Sequence, residues 1–196
     1  MSEPFFTIIT ASLQRKSLIE CCKSVNRQSF ISWEHVVALD CPPEEIRQPL
    51  LDRLQHPQRQ FFCCGQRFNN FGNTPRHMAW EKATGIWQII LDDDNFFKDD
   101  RILETVAKTL EDAGNPDWSV FPIFRYNQLF FNDPPGLCQS DTANIVVKRE
   151  IGRWPDGPEY TMDGIWIEAL KVSHPNYKTF PRHRPIISMP YSSEGK

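Results

Sequence analysis
The run Gln88-Ile89-Ile90-Leu91-Asp92-Asp93-Asp94-Asn95 constrains the fold more than any other stretch of the chain. A short apolar strand ends abruptly in three carboxylates and an amide. Strand side chains alternate faces, so Asp92 and Asp94 are expected to point one way and Asp93 the other. Two carboxylates about 4 Å apart repel by roughly 4 kcal/mol at an effective dielectric near 20, and by only about 1 kcal/mol in bulk water. The apolar residues ahead of them favour the first case: a buried strand delivering its carboxyl end into a cleft, where open α/β sheets place their ligand sites. Oxygen ligands suit magnesium, manganese or calcium, so a hard divalent cation is the natural relief. Three other readings compete. An acidic turn that caps the next helix is one. A helix-loop-helix calcium site is opposed by Phe96 and Phe97, which stand where an oxygen ligand and a glycine are needed. An aspartyl-nucleophile phosphatase is opposed by the strand's distance from the N-terminus.

Length and charge narrow the class. The 196 residues suit one domain, with 1–190 read as that domain and 191–196 as a flexible tail. Hydrophobic residues make up 40% and charged residues 24%, values ordinary for a globular protein. A net charge of -3 gives no reason to expect nucleic acid as partner. The six cysteines, Cys21, Cys22, Cys41, Cys63, Cys64 and Cys138, include no C-x-x-C spacing, and adjacent pairs make a poor disulfide framework. Reduced thiols in a cytoplasmic protein are the expectation. No apolar run approaches the roughly 20 residues that span a bilayer, and the N-terminus reads as a strand rather than a leader.

Periodicity predicts strands over 5–10, 33–39, 60–64 and 87–91, alternating with helices over 14–28, 44–54, 75–83 and 102–113. Further strands are expected at 118–126 and 145–147, a long surface loop at 127–142, and a helix at 162–172. The βαβα alternation argues for a three-layer α/β/α sandwich with a mainly parallel central sheet.

The segments FTIITA, SVNRQSFISWEHVVALD, NTPRHMAWEKATGIWQIILDDDN and TANIVVKREIGRWPDG, with the helix beginning at Asp163, resemble successive blocks of family 2 glycosyltransferases of the GT-A fold. The resemblance covers roughly residues 5–185. It implies the same sandwich, and transfer of a sugar from a nucleoside-diphosphate donor, a UDP-sugar above all, to a glycan or other hydroxyl acceptor, with Mn2+ or Mg2+ and with inversion. Carried over by position, it puts Thr10 and Ala11 near the nucleotide and Asp40 on the base. It sets Arg76 on the diphosphate, Asp92 and Asp94 on the metal with Asp93 near the ribose, and Asp141 by the donor sugar. Asp163 becomes the catalytic base, and His183 a further metal ligand. Leu13-Gln14 replace the family's usual aromatic and Asn, Cys41-Pro42-Pro43 follow Asp40 where small residues are usual, and Met162 stands where many relatives have a second acid. Trp154 and Trp166 read as core or as sugar-stacking rings. The other function these residues allow is a catalytically silent nucleotide- or glycan-binding module of the same fold.

Overall fold
The computed structural model describes residues 3–125, 128–131, 133–136, 141–182 and 187–189. Its centre is a seven-stranded sheet of order β10-β6-β9-β4-β1-β2-β3. The strands are β1 (Phe6–Ser12), β2 (Trp33–Leu39), β3 (Arg59–Cys63), β4 (Trp87–Ile90), β6 (Trp118–Val120), β9 (Ile145–Lys148) and β10 (Tyr177–Thr179). All neighbours pair in parallel except β9, which runs antiparallel to both β4 and β6. A smaller sheet of order β5-β11-β7-β8 joins β5 (Phe96–Phe97), β7 (Ile123–Arg125), β8 (Gln128–Phe130) and β11 (Ile187–Met189).

Alternation along β1 sends its apolar residues to two cores. Phe6 and Ile8 pack with α1 (Leu18–Asn26) and α4 (Ile102–Asp112) on one face. Ile9 packs with α3 (Asn73–Lys82) and α5 (Met162–Ser173) on the other. Both faces are therefore covered, which explains why β1, β2 and β4 read as continuous apolar runs. On α4 the buried residues Ile102, Leu103, Val106, Ala107 and Leu110 recur at helical spacing and form one inward stripe. Gly85 lets α3 hand over to β4: a Cβ there would lie 2.7 Å from the backbone of Phe6 and Thr7.

The strand order fixes where a ligand can sit. From β1 the chain steps to β2 and β3 on one side, then crosses to β4 on the other. The loops after β1 and β4 thus diverge and leave a crevice at their carboxyl ends, the switch point of an open α/β sheet.

Several local expectations change. The helix expected over 44–54 is a short turn, Pro43–Glu45, and then α2 (Gln48–Asp52), because Ile46 (ψ 122°) and Arg47 (ψ 71°) leave helical geometry between them. The strand expected over 118–126 divides into β6 and β7 at Pro122, which has no N–H to give a ladder. Part of the expected 127–142 loop is β8. Cys21, Cys22, Cys41 and Cys64 are buried and Cys63 is half-buried, all as free thiols; Cys138 lies outside the described residues. Burial pushes the Cys41 and Cys64 thiols up to about 11 and about 12, so neither is a nucleophile at neutral pH. Among the described residues no helix is long and apolar enough to cross a membrane.

Candidate active site
The crevice at the switch point opens into a cavity of about 780 Å³, bordered by Ala11, Asp40, Asp92, Asp94, Asp141 and Asp163 among others. Six carboxylates from four separate segments converge on it, counting the buried Asp93.

The aspartates after β4 do not continue the strand. Pairing ends at Ile90, and the Asn95 amide donates to Asp92 O at 2.9 Å, which closes a turn. Alternation therefore stops before it could send Asp93 to the opposite face, and all three carboxylates border the cavity. Each has a different environment. Asp92 Oδ1 accepts from Arg76 Nε at 3.2 Å and Nη2 at 2.5 Å. Asp93 is fully buried and accepts from Ser12 Oγ at 2.7 Å, from the Leu13 amide at 3.2 Å and from Arg15 Nε at 3.0 Å. Asp94 remains partly exposed and is paired with Arg15 Nη1 at 3.2 Å. Burial, followed by the Asp92 charge, raises the Asp94 carboxyl above the usual carboxylate range, against the pull of Arg15.

Two arginines serve the cluster. Arg76, on α3, is nine-tenths buried and also donates to Phe71 O at 2.9 Å, with its guanidinium 5.4 Å from the Trp154 ring centre. Arg15 lies in the loop between β1 and α1 and is half-exposed. Burial works against its charge, but the hydrogen bond to Asp93 and the charges of Asp93, Asp94 and Asp92 outweigh that and raise its pKa. Three non-glycine residues in loops at this end of the sheet hold left-handed backbone, Gln14 (φ 58°), Asn69 (φ 53°) and Phe71 (φ 59°), a conformation that concentrates at functional sites.

On the far side Asp163 stands in the first turn of α5 and accepts from the Gly164 amide at 2.8 Å. Burial raises its pKa, with that amide and the Arg76 charge opposing. Asp141 caps the turn Thr142–Asn144 by accepting from the Ala143 amide at 3.0 Å. Phe71 and Tyr160 pack edge to face at 5.1 Å, both well exposed at the cavity mouth.

The cavity thus gathers Ala11, Asp40, Arg76, Asp92, Asp93, Asp94, Asp141 and Asp163 from the expected residues. Thr10 is not among the lining residues. Its hydroxyl donates to Leu91 O at 2.6 Å and lies 2.9 Å from His35 Nε2, so its side chain ties β1 beneath the cleft instead of lining it. Asp93 borders the cavity, and its oxygens accept from Ser12, the Leu13 amide and Arg15, so it pins the first loop. Asp40 gives one oxygen to the Phe68 amide at 2.7 Å, which anchors the loop ahead of α3. Gln14 is buried and turned away, its amide nitrogen 3.1 Å from Glu45 O. Trp154 and Trp166 are buried and pack together at 5.0 Å, so both are core rings, with Trp154 also forming part of the cavity wall. His183 lies outside the described residues. Ser12 and Arg15 were not foreseen, and no local pattern marks them.

The sequence profile of glycosyl transferase family 2 matches residues 7–169. Among solved structures, the S. aureus TarS 1–349 complex with UDP-GlcNAc superposes with a TM-score of 0.77 at 14% identity, covering 97% of this chain and 59% of that one. S. aureus TarS itself gives a TM-score of 0.77 at 13% identity, covering 96% and 37%. The mannosyltransferase PcManGT from Pyrobaculum calidifontis, in complex with GDP-Man and Mn2+, gives 0.73 at 16% identity, covering 100% and 59%. The chain spans at most about three fifths of the length of these proteins, and at such identities they establish the GT-A fold. Among curated proteins none matches.

Proposed function
Given that the chain belongs to glycosyl transferase family 2, we propose that it moves a sugar from a nucleoside-diphosphate donor to an acceptor hydroxyl, with a divalent cation and with inversion. One observation carries this reading: the aspartate turn after β4 and the carboxylate of Asp163 border the same cavity, and Asp163 feels the charges of Arg76 and Asp92. Sugar transfer requires that arrangement, with charge control at the leaving diphosphate and a base across the anomeric carbon.

The residues take roles from their environments. Asp40 keeps one oxygen outside its bond to Phe68 for a nucleobase N–H. Ala11 presents only a methyl group and leaves room for the ribose. Arg76 holds Asp92 in place and sets a fixed positive charge beside the diphosphate. Asp141 borders the cavity and is the residue assigned to the donor sugar. Asp163, made more basic by burial, takes the proton of the attacking hydroxyl.

The donor set fits a cation of the magnesium or manganese type. Among the described residues no three His, Cys, Asp or Glu groups form a ready cage. Hard cations that keep waters and bind through one or two carboxylates plus substrate phosphates do not need one. Asp92 Oδ2 and Asp94 Oδ1 both stand outside the ion pairs to arginine, so these two residues would hold it, with His183 as an additional candidate. When bound, such an ion neutralises charge on the leaving diphosphate. The donors bound in the structural neighbours, UDP-GlcNAc and GDP-Man, make a UDP- or GDP-sugar the first to try. The free thiols match a cytoplasmic setting.

Asp163→Asn tests the reading. It keeps the shape of the side chain and removes the basic carboxylate. Donor affinity by calorimetry is expected to stay within about twofold, while transfer falls by roughly 10²–10⁴. Because burial raises the folded pKa of Asp163, its charge costs stability at neutral pH, and that cost vanishes as pH falls through the folded value. The variant is therefore expected to unfold at or above the wild-type temperature. Wild-type transfer is expected to decline on acidification with a midpoint above the usual carboxylate range. Normal turnover in the variant moves the base elsewhere, and donor binding without transfer in wild type selects the silent binding module.

A further inference from the structure
The two arginines at the aspartate turn are not equivalent. Arg76 is buried, and its donors are spent on Asp92, on Phe71 O and on Asn73 Oδ1 at 3.5 Å. Its position is fixed by the helix that carries it. Arg15 extends from a loop, is half-exposed and borders the open cavity. Of its two partners, Asp93 keeps Ser12 Oγ and the Leu13 amide on Oδ2 even if Arg15 leaves, losing only the bonds to Oδ1. Asp94 does not: Arg15 is its one ion-pair partner among the described residues.

Asp94 is also one of the two carboxylates assigned to the cation above. A guanidinium and a divalent ion cannot share it without strong like-charge repulsion at contact distance. We infer that Arg15 is a resident counter-ion of Asp94 that a divalent cation must displace, and that the donor's diphosphate draws it away. The inference rests on the proposed reading of the site. The diphosphate offers a guanidinium a bidentate anion in exchange for Asp94, so Arg15 can leave its carboxylate without losing ion pairing. Cation and donor then bind as a linked pair, each raising the affinity of the other by the same factor. The free chain would keep its aspartate turn neutralised and closed to cations until a donor arrives.

The experiment is a titration of Mn2+ followed by the electron paramagnetic resonance signal of the free ion, with and without saturating UDP or GDP, on wild type, Arg15→Gln, Arg15→Lys and Asp94→Asn. Removing the competing charge is expected to tighten nucleotide-free Mn2+ binding by Arg15→Gln on the order of tenfold. The same substitution should weaken nucleotide binding and shrink the factor by which nucleotide improves Mn2+ affinity. Arg15→Lys, which keeps the charge and loses the planar fork, should fall between. Asp94→Asn should remove the effect of Arg15→Gln when the two are combined. A purely structural role for Arg15 can lower Mn2+ affinity or leave it alone but cannot raise it. Unchanged or weaker nucleotide-free Mn2+ binding in Arg15→Gln overturns the inference and leaves the cation reading standing. If no variant takes up Mn2+ even with nucleotide present, the cation reading falls and the inference with it.

Discussion
The two sides of the cavity are held together by different means. On the side of the aspartate turn, polar groups are locked by partners far away in the chain. Arg15 reaches across 78 residues to Asp93, Arg76 across 16 to Asp92, and the Phe68 amide across 28 to Asp40. On the side of α5, Asp141 and Asp163 are held by amides one or two residues away. The first side is an electrostatic frame set by tertiary structure, with its dipoles already oriented before a ligand arrives. The second presents Asp163 to the cavity from the first turn of its helix, with a local amide as its hydrogen-bond donor. Mutations should therefore propagate through the fold on the first side and stay local on the second.

Arg76→Met should show the largest effect. It leaves Asp92 without its partner in a site only 22% exposed, and it releases the Phe71 carbonyl. Allowing for that partial exposure, a loss of about 2–3 kcal/mol is expected in denaturant unfolding. Nucleoside diphosphates should also be weakened far more than the free nucleoside. A change under about 0.5 kcal/mol would show that the pairing across the sheet holds little.

Gly72→Ala comes next. Gly72 precedes α3 at φ 80°, and a Cβ there would meet the Ala11 methyl at 3.0 Å. Both effects act against the variant, and a loss of about 1–2 kcal/mol is expected, with a narrowed nucleotide side. If Gly72→Ala proves neutral in thermal unfolding, the close approach of the two loops is not rigid.

Asp141→Ala, on the other side, should cost only about 1 kcal/mol, the usual worth of a side-chain cap. Its effect on donor-sugar affinity should exceed its effect on stability. Destabilisation as large as that of Arg76→Met would erase the contrast between the two sides.

The same division explains what could be read in the sequence. Elements with an apolar period were legible: β2 occupies Trp33–Leu39 as expected, and α4 and α5 fall within a residue of their predicted ends. The short strands β5, β10 and β11 span two or three residues each, too few to show alternation, and their pairing is decided by neighbours. Asp92, Asp94 and Asp163 were legible because each sits where an apolar element ends or begins. Arg15 was not, since its two partners lie at the end of another strand and nothing in Ser12–Lys16 announces them. The buried bonds of Thr10 to Leu91 and His35 are not legible either: in a strand buried on both faces, apolar content does not say which way a residue points.

The most direct measurement is calorimetric titration of UDP and GDP into wild type and Asp94→Ala, each with Mn2+ and with a chelator. Mn2+ is expected to tighten at least one of the two nucleotides in wild type. In Asp94→Ala the fold should be retained, since a burdened carboxylate has been removed, and the gain from Mn2+ should disappear. Equal affinity with Mn2+ and with chelator in wild type would contradict the account, because the aspartate turn would then have no cation to share with a donor.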